Sequence, residues 1–222
     1  MNHDKIYVMK YLFLVMFIVS TGVHLYASLK QDKKLRNYTK PFLITSLLGF
    51  YVLSSKDIRT VTILALIFSW IGDLWLMIPG VKYFAIGGVS FMISHIFFVF
   101  SYIYDIVFAN VNKIIVVILA IFFVITVSII FSHLKKHLPT KLFYPMYLYL
   151  LINGTMNCFA IFRMLSNVTT STIITCVGAI LFFISDSALF FVRFQKNCKL
   201  KTHFLVMLTY SIGELLIIIG LL

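Results

Sequence analysis

Seven of the 222 residues are acidic, and three of them fall where acids are rare. Asp73, Asp186 and Glu214 lie inside long apolar stretches, as does His95, and His24 sits near the end of another. The other four acids, Asp4, Asp32, Asp57 and Asp105, fall in or beside polar stretches. An ionisable side chain in hydrocarbon is costly and usually faces a bundle interior or a water-filled cavity. Two carboxyls and an imidazole gathered in such a place can donate, accept and hold protons away from bulk water. A lone aspartate would serve equally well as interhelical glue. Two aspartates, a histidine and a glutamate together point to a site.

Their neighbours recur every four residues. Gly87, Phe91 and His95 form one such series, and Gly178, Phe182 and Asp186 another. Residues four apart stack on one face of a helix, so each face carries a glycine, an aromatic ring and an ionisable group. Glycine at such a place, here Gly87 and Gly178, and Gly72 beside Asp73, lets helices approach closely in a membrane. Ser69, Asp73 and Met77 share a third face; Tyr149, Asn153 and Asn157 share a fourth; Tyr210 and Glu214 share a fifth.

The elements that carry these faces follow from composition. The chain is 61% hydrophobic and only 12% charged, against about 25% charged in soluble domains. The apolar residues fall into long continuous blocks, such as 114–131. Alternation over ~10-residue segments would mark a barrel, and these runs do not alternate. An all-α fold is predicted: a polytopic transmembrane helix bundle of about eight spans, near 8–29, 41–55, 60–78, 83–104, 113–132, 142–163, 171–192 and 203–222. The connections are short, so residues 1–222 form one integral membrane domain. No cleavable signal pattern opens the chain, and the first apolar block is expected to be a retained span.

The net charge of +12 does not imply nucleic acid, because the basic residues cluster in short connections, where membrane topology places them. Lys30, Lys33, Lys34, Arg36 and Lys40 follow the first span, Lys82 the third, Lys135, Lys136 and Lys141 the fifth, and Arg193, Lys196, Lys199 and Lys201 the seventh. With eight spans these fall on one side, which is expected to be cytoplasmic, with both termini outside. The expected location is a multi-pass position in the plasma or inner membrane of a bacterium, or in the endoplasmic reticulum of a eukaryote.

Cys158, Cys176 and Cys198 have neither disulfide nor metal spacing. His133 and His137 stand four apart in a basic connection and read as a solvated face. His95, Asp73 and Asp186 could supply three zinc ligands, but no closed ligand set is visible within a span, so no metal or organic cofactor is expected. No phosphate-cradling glycine loop and no GxSxG elbow are present.

In these same stretches the sequence resembles the YhhN-like lysoplasmalogenase family of eight-span membrane proteins. FSWIGDLWLM is similar to the family's Gly-Asp-x-x-Leu segment at Gly72 and Asp73. IGGVSFMISHIFFVFSY resembles its G-x-x-x-F-x-x-x-H pattern at Gly87, Phe91 and His95. VGAILFFISDSAL is similar to its G-A-x-x-F-x-x-S-D segment at Gly178, Ala179, Phe182, Ser185 and Asp186. MLTYSIGELLI resembles its Thr-Tyr segment, with Glu214 where the family usually has Gln. Lys40-Pro41, Tyr149 and Met156 fit more loosely. The likeness runs from about residue 40 to the end of the chain.

The resemblance implies hydrolysis of the vinyl ether bond of a lysoplasmalogen, giving a fatty aldehyde and glycerophosphoethanolamine or -choline. The expected partners are that lysophospholipid and membrane lipid, with no obligate protein partner. Vinyl ethers hydrolyse through protonation at carbon, which leaves an oxocarbenium ion. Such a site needs an acid still protonated near neutral pH and a fixed negative charge beside the cation. Asp73 and Asp186 are expected to be acid and stabiliser, in either order, and His95 to orient or activate water. Tyr149, Asn153, Asn157, Ser185, Tyr210 and Glu214 are expected to support them or the substrate. Proton-coupled transport, or lipid binding without catalysis, are the alternative functions.

Overall fold

The blocks fold as helices because backbone polar groups in hydrocarbon must be satisfied within the segment. The computed structural model describes residues 3–195 and 203–222. Among these residues it contains eight α-helices, three single 3-10 turns and no strand. The helices are α1 (His3–Leu29), α2 (Lys33–Ser54), α3 (Thr60–Met77), α4 (Val81–Ile103), α5 (Lys113–Leu134), α6 (Phe143–Ser166), α7 (Thr170–Phe194) and α8 (Phe204–Gly220). Six of them, α1 and α3 to α7, are long and apolar enough to cross a membrane. Helix α8 is apolar but has 17 residues. The chain is a helical membrane bundle, as its composition predicts.

Helix α2 departs from expectation. It opens at Lys33, where an apolar block beginning at position 41 was predicted. The stretch containing Lys33, Lys34, Arg36 and Lys40 is therefore mostly helix rather than connection. Asp32 caps it, its Oδ1 accepting from the backbone N–H of Lys34 and Leu35. Pro41 lies inside the helix, not at its start. Proline removes one N–H and with it one helical bond, and the Pro41 carbonyl accepts from the Trp70 indole at 3.1 Å, tying α2 to α3. Lys196, Cys198, Lys199 and Lys201 lie outside the described residues.

Short connections make consecutive helices antiparallel neighbours, and the most extensive packing is between α7 and α8, α3 and α4, and α1 and α2. Further contacts of α2 with α3, α4 with α6, α6 with α7 and α8 with α1 complete a closed cycle of neighbours, with α5 packed on the outside of α6. The outer faces of α1 and α5 expose a run of large apolar side chains, including Leu12, Val15 and Ile18, and Val117, Ile121 and Ile125. Such faces suit lipid, not water.

Two glycine contacts set how closely the helices meet. A Cβ on Gly178 would lie 2.7 Å from the Gly213 carbonyl oxygen and 2.8 Å from the Ile217 nitrogen, both backbone atoms of α8. A Cβ on Gly72 would lie 2.6 Å from the Phe91 ring and 3.1 Å from the Gly87 carbonyl oxygen. Only glycine allows α7 to touch α8, and α3 to touch α4, at these points. Asp73 and Asp186 follow within one residue and two turns of these contacts.

Candidate functional site

A cavity of about 310 Å³ opens at one end of the bundle. The C-terminal ends of α1, α3 and α7 and the N-terminal ends of α2, α4 and α8 supply its walls. Asp73 and Asp186 both line it, 2% and 5% exposed. Burial this deep calls for partners, because an uncompensated buried charge is strongly destabilising. Each aspartate has partners, and the two sets differ.

Asp73 meets a cation. Lys40 Nζ lies 3.0 Å from its Oδ1, and the Tyr210 hydroxyl donates to its Oδ2 at 2.9 Å. Sequence reasoning placed Lys40 in a connection and missed this pair. Its signal was present: Lys33, Arg36, Asn37 and Lys40 fall at i, i+3, i+4 and i+7, one face of a helix, and all four line the cavity.

Asp186 meets neutral donors. The Tyr149 hydroxyl makes a short hydrogen bond to its Oδ2, and Asn153 Nδ2 donates to the same oxygen at 2.7 Å. Asn157 Nδ2 donates to the Asn153 carbonyl oxygen at 3.0 Å and to its Oδ1 at 3.2 Å, which fixes the Asn153 amide from behind. The polar face of α6 predicted from Tyr149, Asn153 and Asn157 is thus turned onto α7. Ser185 also lines the cavity, and its hydroxyl donates to the Val206 carbonyl on α8.

His95 stands beside Asp186. It is fully buried and does not line the cavity. Its Nε2 lies 3.4 Å from Asp186 Oδ2 without hydrogen-bond alignment, and its ring packs edge-on against Tyr149 and Phe182. Glu214 stands further off. Its Oε1 accepts from Ser69 at 2.8 Å, and Ser69 in turn meets Ser94. Among the described residues no group of three His, Cys, Asp or Glu side chains could hold a metal ion.

The mouth of the cavity is basic. Lys33, Arg36 and Arg193 line it, with His24 and His203. His24 Nδ1 pairs with the Thr39 hydroxyl at 2.8 Å. An array of this kind has two buried carboxyls of unlike surroundings at its floor and cations at its rim. It is suited to proton transfer on an amphiphile or an anion.

No curated protein and no solved structure matches the chain. The model of the YhhN family matches residues 35–221. That stretch holds both aspartates of the cavity, the Tyr210, Tyr149 and Asn153 side chains that bond them, and Lys40, and the chain belongs to the YhhN family.

Proposed function

We propose that this protein is an ether hydrolase of the lysoplasmalogenase type. It would cleave the vinyl ether of a lysoplasmalogen to a fatty aldehyde and glycerophosphoethanolamine or -choline. The observation that carries the reading is the unlike pairing of the two aspartates at one cavity: an ammonium on Asp73 and neutral donors on Asp186. Family membership supports it independently.

In this proposal Asp186 is the acid and Asp73 the fixed anion. Asp186 gives its proton to the alkenyl carbon remote from oxygen. The π pair of the double bond forms the new C–H bond, and positive charge spreads over the adjacent carbon and the ether oxygen. The Asp73 carboxylate, kept charged by Lys40, stabilises that cation electrostatically. Water adds to the cationic carbon and gives a proton back to Asp186. In the resulting hemiacetal the hydroxyl gives up its proton and forms the aldehyde carbonyl as the bond to the glycerol oxygen breaks, that oxygen takes a proton in its turn, and the aldehyde leaves. Tyr149 and Asn153 position Asp186, and His95 packs behind it as a positioning residue. No step calls for a metal.

The test is aldehyde release from a 1-alkenyl lysophospholipid by the purified protein. Turnover with no reaction on the saturated 1-alkyl analogue is expected. Asp186→Asn should fold and lose about 10²–10⁴-fold in kcat, the usual contribution of general acid catalysis, with a smaller change in KM. The wild type should slow in D₂O, because the proton moves to carbon. Normal aldehyde release by well-folded Asp186→Asn would overturn the assignment.

A further inference from the structure

The cations at the cavity mouth exceed what the aspartates use. Lys40 is taken by Asp73. Among the described residues Lys33, Arg36 and Arg193 have no carboxylate partner, although all three line the cavity. Arg36 Nε is buried with no acceptor, and a buried donor left unmade is costly. Arg193 lies over the Phe84 ring at 5.8 Å, which holds its guanidinium at the wall. An arginine fork matches the geometry of a phosphate oxygen pair.

A second opening adjoins the first. A groove of about 480 Å³ runs between α4 and α6 and is walled almost wholly by apolar side chains, among them Val89, Met92, Met146 and Leu151. Both openings fall within the roughly 300–1,000 Å³ of ligand pockets. Phe84 lines both of them. Tyr149, which bonds Asp186, lines the groove as well. Asp186 therefore touches both openings: it lines the cationic cavity and bonds Tyr149 of the groove, while Asp73 lines the cavity beside it.

We infer that these two openings form one bipartite site for a single-chain phospholipid. The phosphate sits on Arg36 and Arg193, with Lys33 nearby, and the hydrocarbon chain lies in the α4–α6 groove. This rests on the proposed function, and it goes further by naming the residues that hold each end of the substrate. The glycerol linkage between the two ends then falls beside Asp73 and Asp186. Recognition is by phosphate charge at one end and by chain volume at the other. Gly88 lines the groove, and a Cβ added there meets nothing within 4 Å. A larger side chain at that position therefore starts from open space and is expected to extend into the groove.

The experiment measures binding to the full-length purified protein in nanodiscs, using a 1-alkyl lysophosphatidylcholine that cannot be cleaved. The comparison probes are 1-alkylglycerol, which lacks phosphate, glycerophosphocholine, which lacks the chain, and inorganic phosphate. The wild type should bind the alkyl lysophospholipid at least about tenfold more tightly than any of these, since a charge-assisted hydrogen bond is worth about that factor. Arg36→Gln and Arg193→Gln should each lose about tenfold toward the lysophospholipid and nothing toward 1-alkylglycerol. Arg36→Lys, which keeps the charge but not the fork, should fall between. Gly88→Leu should weaken both chain-bearing probes alike and leave glycerophosphocholine unchanged.

Equal binding of 1-alkylglycerol and the lysophospholipid, or wild-type affinity in both arginine variants, would overturn the phosphate assignment. Unchanged chain binding in Gly88→Leu would overturn the groove. Inorganic phosphate binding as tightly as the lysophospholipid would assign the cations to free phosphate and sink the lipid site. Binding needs no turnover, so head-group-dependent binding without aldehyde release refutes the hydrolase alone. Aldehyde release with unchanged KM in both arginine variants refutes the bipartite site alone.

Discussion

Lys40 and Asp73 show how a buried charge is tolerated. The ammonium and the carboxylate are 3.0 Å apart, with side-chain exposures of 13% and 3%. Removing one partner of such a pair leaves the other uncompensated and costs about 3–5 kcal/mol, while removing both charges costs far less. Lys40→Met is therefore expected to lower the melting temperature of the purified protein sharply, and Asp73→Asn in the same chain to restore much of the loss. A double variant no more stable than Lys40→Met would show that the pair does not hold that carboxylate. Both aspartates were legible in the sequence because acids inside apolar blocks stand out. Lys40 was not, because it shares a short stretch with four other basic residues that resembles a topogenic connection. The helical spacing of 33, 36, 37 and 40 carried the information, but charge density hid the helix from any count of apolar residues. The unlike surroundings of Asp73 and Asp186 were illegible too, since they depend on which helices α6 and α2 touch, and spacing along one chain segment does not contain that.

The stripes of four-residue spacing become contacts at the level of helices. Gly178, Phe182 and Asp186 turn one face of α7 inward. The first meets α8 backbone, the second packs on Tyr210 at 5.3 Å between ring centroids, and the third reaches the cavity. The glycine sets the distance at which the other two act. Gly178→Val should therefore destabilise the bundle by about 1–3 kcal/mol or more, the usual cost of overpacking, and should lower activity by moving Asp186 away from Tyr210 and Asp73. Gly22 is a contrasting control, because a Cβ there meets nothing within 4 Å. Gly22→Ala should raise stability by about 0.8–1 kcal/mol through helix propensity alone. Equal effects of the two substitutions on thermal melting would mean that α7 and α8 have room to spare. The boundaries of most helices were readable from hydropathy. That of α2 was not, since its first two turns are polar and only its Asp32 cap marks the start.

Across the whole molecule the two ends of the bundle differ in purpose. The end opposite the cavity is latched. Arg59, immediately before α3, and Arg163 of α6 both bond Asp105 in the connection after α4, at 2.6 and 2.8 Å. Arg163 reaches on to Thr175 and to the Gly220 carbonyl. Burial works to raise the Asp105 carboxyl, but the Arg59 hydrogen bonds and the charges of both arginines outweigh it and hold it below its ordinary value. A carboxyl lowered by folding adds stability that is complete above its unfolded value of about 3.9 and is lost as the pH falls through the folded value. Asp105→Asn is expected to cost about 1.5–3 kcal/mol at neutral pH, as for hydrogen bonds to a charged group, and its deficit in melting temperature should shrink below about pH 4. A deficit independent of pH would mean that the charge of Asp105 is not what holds the latch.

The other end carries the cavity and most of the basic residues, and its side of the membrane decides from which leaflet a lipid enters. The starts of α2, α4 and α8 and the ends of α3 and α7 meet there. Ten of the 16 basic residues among the described ones fall at that end, from Lys30 to Lys40, at Lys82, from Lys135 to Lys141 and at Arg193. Lysine and arginine in short connections are retained on the cytoplasmic side, so the cavity should open toward the cytoplasm, with the Asp105 latch outside. Single cysteines in a variant lacking Cys158, Cys176 and Cys198 can report this through an impermeant thiol reagent. Position 31, in the turn between α1 and α2, and position 140, before α6, should label only after the cells are permeabilised. Positions 57 and 168, in the turns at the latched end, should label in intact cells. Labelling of 31 and 140 in intact cells, with 57 and 168 silent, would invert the bundle and send the substrate in from the outer leaflet. A mixture, with 31 and 57 labelled alike, would mean that α2 does not cross. In that case its cationic face would lie along the membrane surface, where Arg36 and Lys33 would meet phospholipid phosphates before any lipid reached Asp73.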